Sequence, residues 1–434
     1  MSFKGFLFRD NQYKQADKLD RDMQTHREPD GGTRKLSDNI SVGLTHAYEN
    51  IGANVLWCCP ETQDCYRAFS FIDCNILRAE SSFICVDIKG ERQHEVATAV
   101  QDLGYRIRTL DLIDLDKSNC FNVFNYITRL SDCKLAAQAL LSLYIEKQDI
   151  PFGDPKSQFL NEVLDTVNAA LAYEWLLNKE NGNIITAVKR LADLNSLTAE
   201  IEASELTHKD SVLHIFNNIS QNHCNEALSI LKWLFTIPER ILTHDDMDIV
   251  NIGNGWNGIY VNLSDCDSTF YPIAELFFFC YFQCVHSPTL MKTSFRHVHL
   301  YFNEYIGIAC SDWMTKYILV SAVTMRNLNM SCSVYMSMGQ LFKVCASNAF
   351  IENQMFAAFD IRIITGDFNK TDLTAKALLN SSNFQKLTLI NSGFEAAAAK
   401  GLDRDEVLVQ IRGKDPVKDR CIQSFFHKPS DARE

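Results

Sequence analysis

The stretch SSFICVDIKGERQHEVATAVQDLGYRIRTLDLID, residues 81–114, carries the pattern that decides the fold. It begins as a short apolar run, continues with amphipathic spacing that ends near Gly104, and closes on a second strand-like run. Upstream, ANVLWCC (residues 53–59) reads as another short buried strand, with a helix between the two. Alternation of this kind predicts an α/β fold with a mostly parallel sheet covered by helices. From about residue 137 the pattern becomes helical, in QFLNEVLDTVNAALAYEWLL, ITAVKRLADL and NEALSILKWLF. Strand-like runs return after Ile237, in NGIYVNLSD, HVHLYFNEY, MSCSVYM, FDIRIITG and DEVLVQIRG. The organisation expected is a flexible arm over 1–38, a first α/β part over 39–136, an all-α insertion over 137–236, and a second α/β part over 237–434.

Bulk properties narrow the function class. The chain has 434 residues, 46% hydrophobic and 22% charged, with a formal net charge of −12. That balance supports a packed core and argues against broad, non-specific adhesion to nucleic acid. Fifteen cysteines are scattered, several inside apolar runs such as FFFCYFQCV, and no C-x-x-C pair occurs. Reduced, buried thiols are expected rather than a disulfide framework or a zinc ribbon. The start, MSFKGFLFRDNQYKQADKLDRD, is charged and has no apolar signal region. The most apolar segment, IAELFFFCYFQCV from Ile273, contains Glu275 and is too short to span a bilayer.

The order of motifs resembles the cytosolic ATPase domain of conjugative type IV secretion coupling proteins. That family has a stretch built around Asp-Pro-Lys-Gly-Glu, matched here by Asp87, Lys89, Gly90 and Glu91. Its following Gly-Tyr and Asn-Pro-x-x-Tyr-Ile are matched by Gly104, Tyr105, Asn122, Tyr126 and Ile127. Ile88 and Val123 replace the usual prolines. Later, Asp372, Thr374 and Ala375 resemble an Asp-x-x-Thr-Ala with one residue's slippage, and Arg412, Gly413, Lys414 and Pro416 resemble a closing Arg-Gly-Lys-x-Pro. The similarity runs from about Leu36 to Phe426, and it implies a RecA-like P-loop NTPase fold with an inserted all-α domain. Family members usually carry N-terminal transmembrane helices, which this sequence does not show.

The chemistry implied by the resemblance is eroded. A phosphate-binding loop G-x-x-x-x-G-K-[ST] uses glycine N–H groups to cradle phosphates, lysine to neutralise them and a hydroxyl to hold Mg2+. The corresponding loop is Cys59-Pro60-Glu61-Thr62-Gln63-Asp64-Cys65-Tyr66, with no glycine. Asp64 stands for the last glycine, Cys65 for the lysine and Tyr66 for the hydroxyl. The strand expected to end in Asp-Glu ends in Asn303-Glu304, exchanging a charged magnesium partner for a neutral one. In the sensor motif Gln-Ser-x-x-Gln-Leu, Met336 replaces the first glutamine while Ser337, Gln340 and Leu341 match. Arg326 lies near the family's arginine. Gln410, Arg412 and Gly413 read as sheet-closing residues. His297 and His299 share a strand face, and satisfied histidines are expected there rather than a metal site.

The expected function is therefore that of a coupling-protein homologue without ATPase activity, a binding or regulatory component in DNA or protein substrate recruitment. The alternative is a weakly active ATPase driving translocation, for which alone ATP and Mg2+ would be cofactors. Expected partners are secretion-system components, a relaxase or other protein substrate, and an active paralogue, with DNA left open. The expected location is the cytoplasm, peripherally at the inner face of the plasma membrane.

Overall fold

The computed structural model describes residues 14–24, 32–44, 52–59, 66–150, 154–179, 181–206, 209–216, 219–287, 296–365, 402 and 405–422. In chain order its elements begin with helix α1 (residues 14–24) and the strands β1 (Thr33–Lys35), β2 (Ser41–Gly43) and β3 (Val55–Cys59). They continue with α2 (Tyr66–Leu77), β4 (Ser82–Ile88), α3 (Glu91–Asp102) and β5 (Arg106–Asp111). A helical series follows: α4 (Leu130–Lys147), α5 (Pro155–Leu177), α6 (Ile184–Lys189), α7 (Leu194–Ala203), α8 (Lys209–Phe216), α9 (Gln221–Ile230) and α10 (Arg240–Thr243). The chain then returns through β6 (Asn257–Leu263), α11 (Tyr271–His286), β7 (Val298–Asn303), α12 (Tyr305–Ile308) and α13 (Asp312–Met325). It closes with β8 (Met330–Ser337), α14 (Met338–Ser347), α15 (Ala349–Ala358), β9 (Ile361–Thr365), β10 (Glu406–Ile411) and β11 (Val417–Arg420).

Strands β3, β4, β6, β7 and β8 are buried along their whole length, which is why they read as near-continuous apolar runs rather than alternating ones. The sheet order is β11-β10-β9-β3-β8-β7-β4-β6-β5. All pairs from β9 across to β5 are parallel, whereas β9–β10 and β10–β11 are antiparallel. Alternate side chains feed two cores. Leu56, Cys58, Ile84 and Val86 join α4, α11 and α13 on one face. Val55, Trp57, Phe83 and Cys85 join α1, α2 and α3 on the other.

The all-α part stands between β5 and β6. Its long helix α5 starts where Asp154 accepts the Lys156 N–H at 2.8 Å and Pro155 occupies the first turn. Residues 14–24, within the stretch read from sequence as a flexible arm, are helical and bury Ala16, Leu19 and Met23 against the sheet. The β1–β2 ribbon is pinned by Arg34, a buried guanidinium. It donates to the Ala53 carbonyl at 2.8 Å and to Ser331 Oγ at 3.2 Å. Ser331 and Ser333 also hydrogen-bond the imidazoles of His297 and His299. Burial and the Arg34 charge hold both histidines far below the usual imidazole range, that of His297 at about 3.

Gly258 on β6 faces Phe83 on β4, and a Cβ added there would lie 2.4 Å from the Phe83 ring. The missing side chain is what lets Phe83 stack edge-on against Tyr260. Gly258→Ala should therefore lower stability by about 1–3 kcal/mol, read as a shifted urea midpoint with unchanged slope.

Candidate functional site

Parallel strands deliver their following loops to one edge, and three of the eroded elements meet there. Cys59, the last residue of β3, is the register partner of Ser337 at the end of β8. Asn303, the last residue of β7, is the partner of Tyr335 on β8. The Cys59 thiol contacts the Met336 carbonyl at 3.8 Å. Pro60, Glu61, Thr62, Gln63, Asp64 and Cys65 lie outside the described residues, as do Asp372, Thr374 and Ala375; Tyr66 opens α2. Arg326 begins a short turn that precedes β8, so the structure puts it at the opposite end of that strand from Asn303 and Ser337.

Asn303 is buried, and neither its Oδ1 nor its Nδ2 has a hydrogen-bond partner. Glu304 follows in a left-handed conformation, φ 55°, and accepts a hydrogen bond from Gln340 Nε2 at 3.4 Å. Gln340 has a second task. Its Oε1 accepts the Ser337 N–H at 2.7 Å while Ser337 Oγ accepts the Gln340 N–H, a capping box that starts α14. Ser337 and Gln340 thus have a structural role here that is independent of catalysis.

The Asp87-Ile88-Lys89-Gly90-Glu91 segment is a strand-to-helix turn. Lys89 and Gly90 both have left-handed backbones, φ 80° and 71°, which glycine adopts freely. Lys89 forms an exposed ion pair with Asp265, and Glu91 is the exposed first residue of α3. Asp87 is fully buried. Its Oδ2 accepts the Gln93 N–H at 2.8 Å, capping α3, whereas Oδ1 has no partner. Burial pushes its carboxyl up to about 7, opposed by the Gln93 N–H and by Arg92, which itself is bound by Asp73 and Glu95. At the other edge, Arg412 forms an ion pair with Asp360, Gly413 (φ 77°) makes the turn after β10, and Gln410 is the register partner of Arg362.

Two further residues of the resembling stretch act as latches to the helical part. Asn122 Nδ2 donates to the Gly182 carbonyl at 2.9 Å, and Tyr126 Oη donates to Asp245 Oδ2 at 2.6 Å. Sequence reasoning missed Asn262, the register partner of Asp87. The signal was available, since an asparagine interrupts the apolar run NGIYVNL.

Because the folded Asp87 carboxyl titrates near 7 and an unfolded one near 4, the folded chain binds the extra proton between those values. Stability contributed by this group is present at low pH and is lost as pH rises through about 7. Asp87→Asn keeps an oxygen for the Gln93 N–H. In metal-free buffer it should gain stability over the native chain at pH 8, by up to about 4 kcal/mol, and not at pH 4. Paired thermal melts at the two pH values measure this.

Solved structures confirm the architecture. The plasmid coupling protein TrwB in complex with ADP and Mg2+ superposes with a TM-score of 0.63 at 12% identity, covering 95% of this chain and 93% of that one. The unbound bacterial conjugative coupling protein TrwBdeltaN70 gives a TM-score of 0.59 at 13% identity, with 94% and 92% covered. These similarities establish a RecA-like P-loop NTPase fold with an all-α domain. Among curated proteins no sequence matches the chain. Among the described residues no helix is long and apolar enough to cross a membrane. The model of the family described as type IV secretory system conjugative DNA transfer matches residues 63–285. The chain accordingly belongs to the conjugative coupling-protein family of type IV secretion.

Proposed function

We propose that this member of the family does not hydrolyse ATP and works as a binding or regulatory component that recruits DNA or protein substrates. The observation that carries the reading is Asn303. It stands at the end of β7, beside the sensor strand, where the family's aspartate would hold the nucleotide's Mg2+, and it offers no charge. The glycine-free loop supports the same reading from the sequence, because Glu61 and Asp64 add carboxylates where phosphates would need N–H donors and a lysine. At an effective dielectric near 20, one such like-charge pair about 4 Å apart costs on the order of 4 kcal/mol. That rivals the whole binding energy of a millimolar ligand, about 4 kcal/mol. A nucleotide–Mg2+ complex therefore does not fit this residue set.

One contact favours the second reading, a weakly active ATPase: Gln340 orients Glu304 at the same edge, where a carboxylate could position water. Under the leading reading Glu304 only completes the turn into α12. The chain would act on the cytoplasmic side, alongside secretion-system components, a relaxase or other substrate, and an active paralogue. Its acidic surface favours protein partners over DNA.

Binding of a fluorescent ATP analogue with Mg2+ separates the two readings. The native chain is expected to give no saturable signal up to about 1 mM. A variant carrying Asp64→Gly, Cys65→Lys, Tyr66→Thr and Asn303→Asp is expected to gain binding. Tight, saturable binding by the native chain would favour the enzyme instead.

A further inference from the structure

The first turn of α13 is held by two carboxylates that belong to other helices. Glu275 on α11 accepts the Ser311 N–H through Oε1 at 2.6 Å. Glu146, near the end of α4, accepts the Asp312 N–H at 2.7 Å and the Trp313 N–H at 3.0 Å. Ser311 Oγ accepts the Met314 N–H at 3.0 Å. The N–H groups that a helix start leaves unsatisfied are therefore taken up, three of the four by carboxylates. The joint so formed ties α4, which leads into the all-α part, to α13, which follows the turn at Glu304 through α12.

The two carboxyls are not equivalent. Glu146 lies at the rim, where Lys316 of α13 offsets its charge. Glu275 is completely buried on α11, and among the described residues no cation pairs with it. Its Oε2 meets two hydroxyls, Ser142 Oγ at 2.7 Å and Ser311 Oγ at 3.0 Å. The titratable and charged groups around it are Glu146 on α4, Asp312 and Lys316 on α13, and Tyr305 and Cys310 on the segment between β7 and α13. Burial pushes the Glu275 carboxyl up to about 7, against the hydrogen bonds from Ser142 and Ser311, and Glu146 adds to the rise.

The joint holds both protonation states, at different cost. The neutral acid keeps the Ser311 N–H on Oε1, donates from Oε2 to one serine hydroxyl and accepts from the other. The carboxylate accepts all three donors, but it keeps an uncompensated charge out of water. A shut joint thus prefers the neutral acid, whereas an opened one exposes a carboxyl to water, where it ionises at about 4.3.

We propose that Glu275 is a proton-controlled catch between the all-α part and the second α/β half: proton uptake shuts the joint, and proton loss frees the first turn of α13. Its contribution to the shut joint is complete below about pH 4 and is lost as pH rises through about 7. From pH 6 to pH 8 the opening equilibrium should rise about tenfold. No nucleotide takes part, so the catch does not depend on whether the chain hydrolyses ATP.

Hydrogen–deuterium exchange of the full chain at pH 6, 7 and 8, corrected for the intrinsic pH dependence of amide exchange, tests this. The native amides of residues 311–316 should lose about tenfold in protection from pH 6 to pH 8, more than those of α5 lose. Glu275→Gln, which keeps an acceptor for the Ser311 N–H and a donor for a serine, should show no such step. Glu146→Gln should keep it, because the titrating group lies on α11. Thermal melts at pH 6 establish that both variants are folded. The proposal is overturned if the native chain shows no step, or if α5 loses as much protection as the joint. It is equally overturned if a folded Glu275→Gln retains the step, or if a folded Glu146→Gln abolishes it.

Discussion

A parallel sheet covered on both faces cannot let a strand slip, because a shift of one residue would exchange every side chain between two different cores. Trp57, Phe83, Tyr260, Tyr301 and Tyr335 fill one of these cores, while Leu56, Ile84, Val86 and Leu300 fill the other. Each large side chain so buried contributes about 1.5–3 kcal/mol. None of these residues belongs to the loops that follow the strands. The frame is thus held by groups that phosphate chemistry never touches, and erosion of the loop after β3 or of the charge at residue 303 leaves the register intact.

Polar groups inside the frame are tied down in two ways. Some are saturated: Glu275 accepts from Ser142 Oγ and from the N–H and Oγ of Ser311, so that one carboxyl joins α4, α11 and the start of α13. Others are left short, as at Asp87 and Asn303. Burial raises the carboxyls of Asp87 and Glu275 to about 7 and lowers the imidazoles of His297 and His299. Between roughly pH 4.5 and 6.5 the two classes oppose one another. Acidification favours the folded state through the carboxyls, and it disfavours that state through imidazoles that are protonated only when unfolded.

The parallel core was legible because buried strands keep their apolar runs: VLWCC, SFICVDI and NGIYVNL are all visible by eye, and α5 shows as an unbroken helical period. The order of the degenerate motifs was legible too, since matching residues recur in family order. What could not be read was lateral adjacency. Nothing in the sequence says that β7 lies beside β4 rather than elsewhere, so Asn303 could not be set against Asp87. Arg34, in a stretch rich in both charges, gave no sign of being a core residue. Its burial depends on Ser331, almost three hundred positions away.

The place of β3 has a consequence for how the chain is made. Its two neighbours, β8 and β9, are translated some three hundred residues after it, with the whole helical part in between. During synthesis, which runs at roughly 5–20 residues per second, β3 therefore emerges with both hydrogen-bonding edges unsatisfied and remains so for many seconds. An apolar segment in that condition is a template for pairing with the wrong chain. The nascent protein is consequently most exposed to aggregation midway through translation, and the late strands β8 and β9 are the ones that end that exposure.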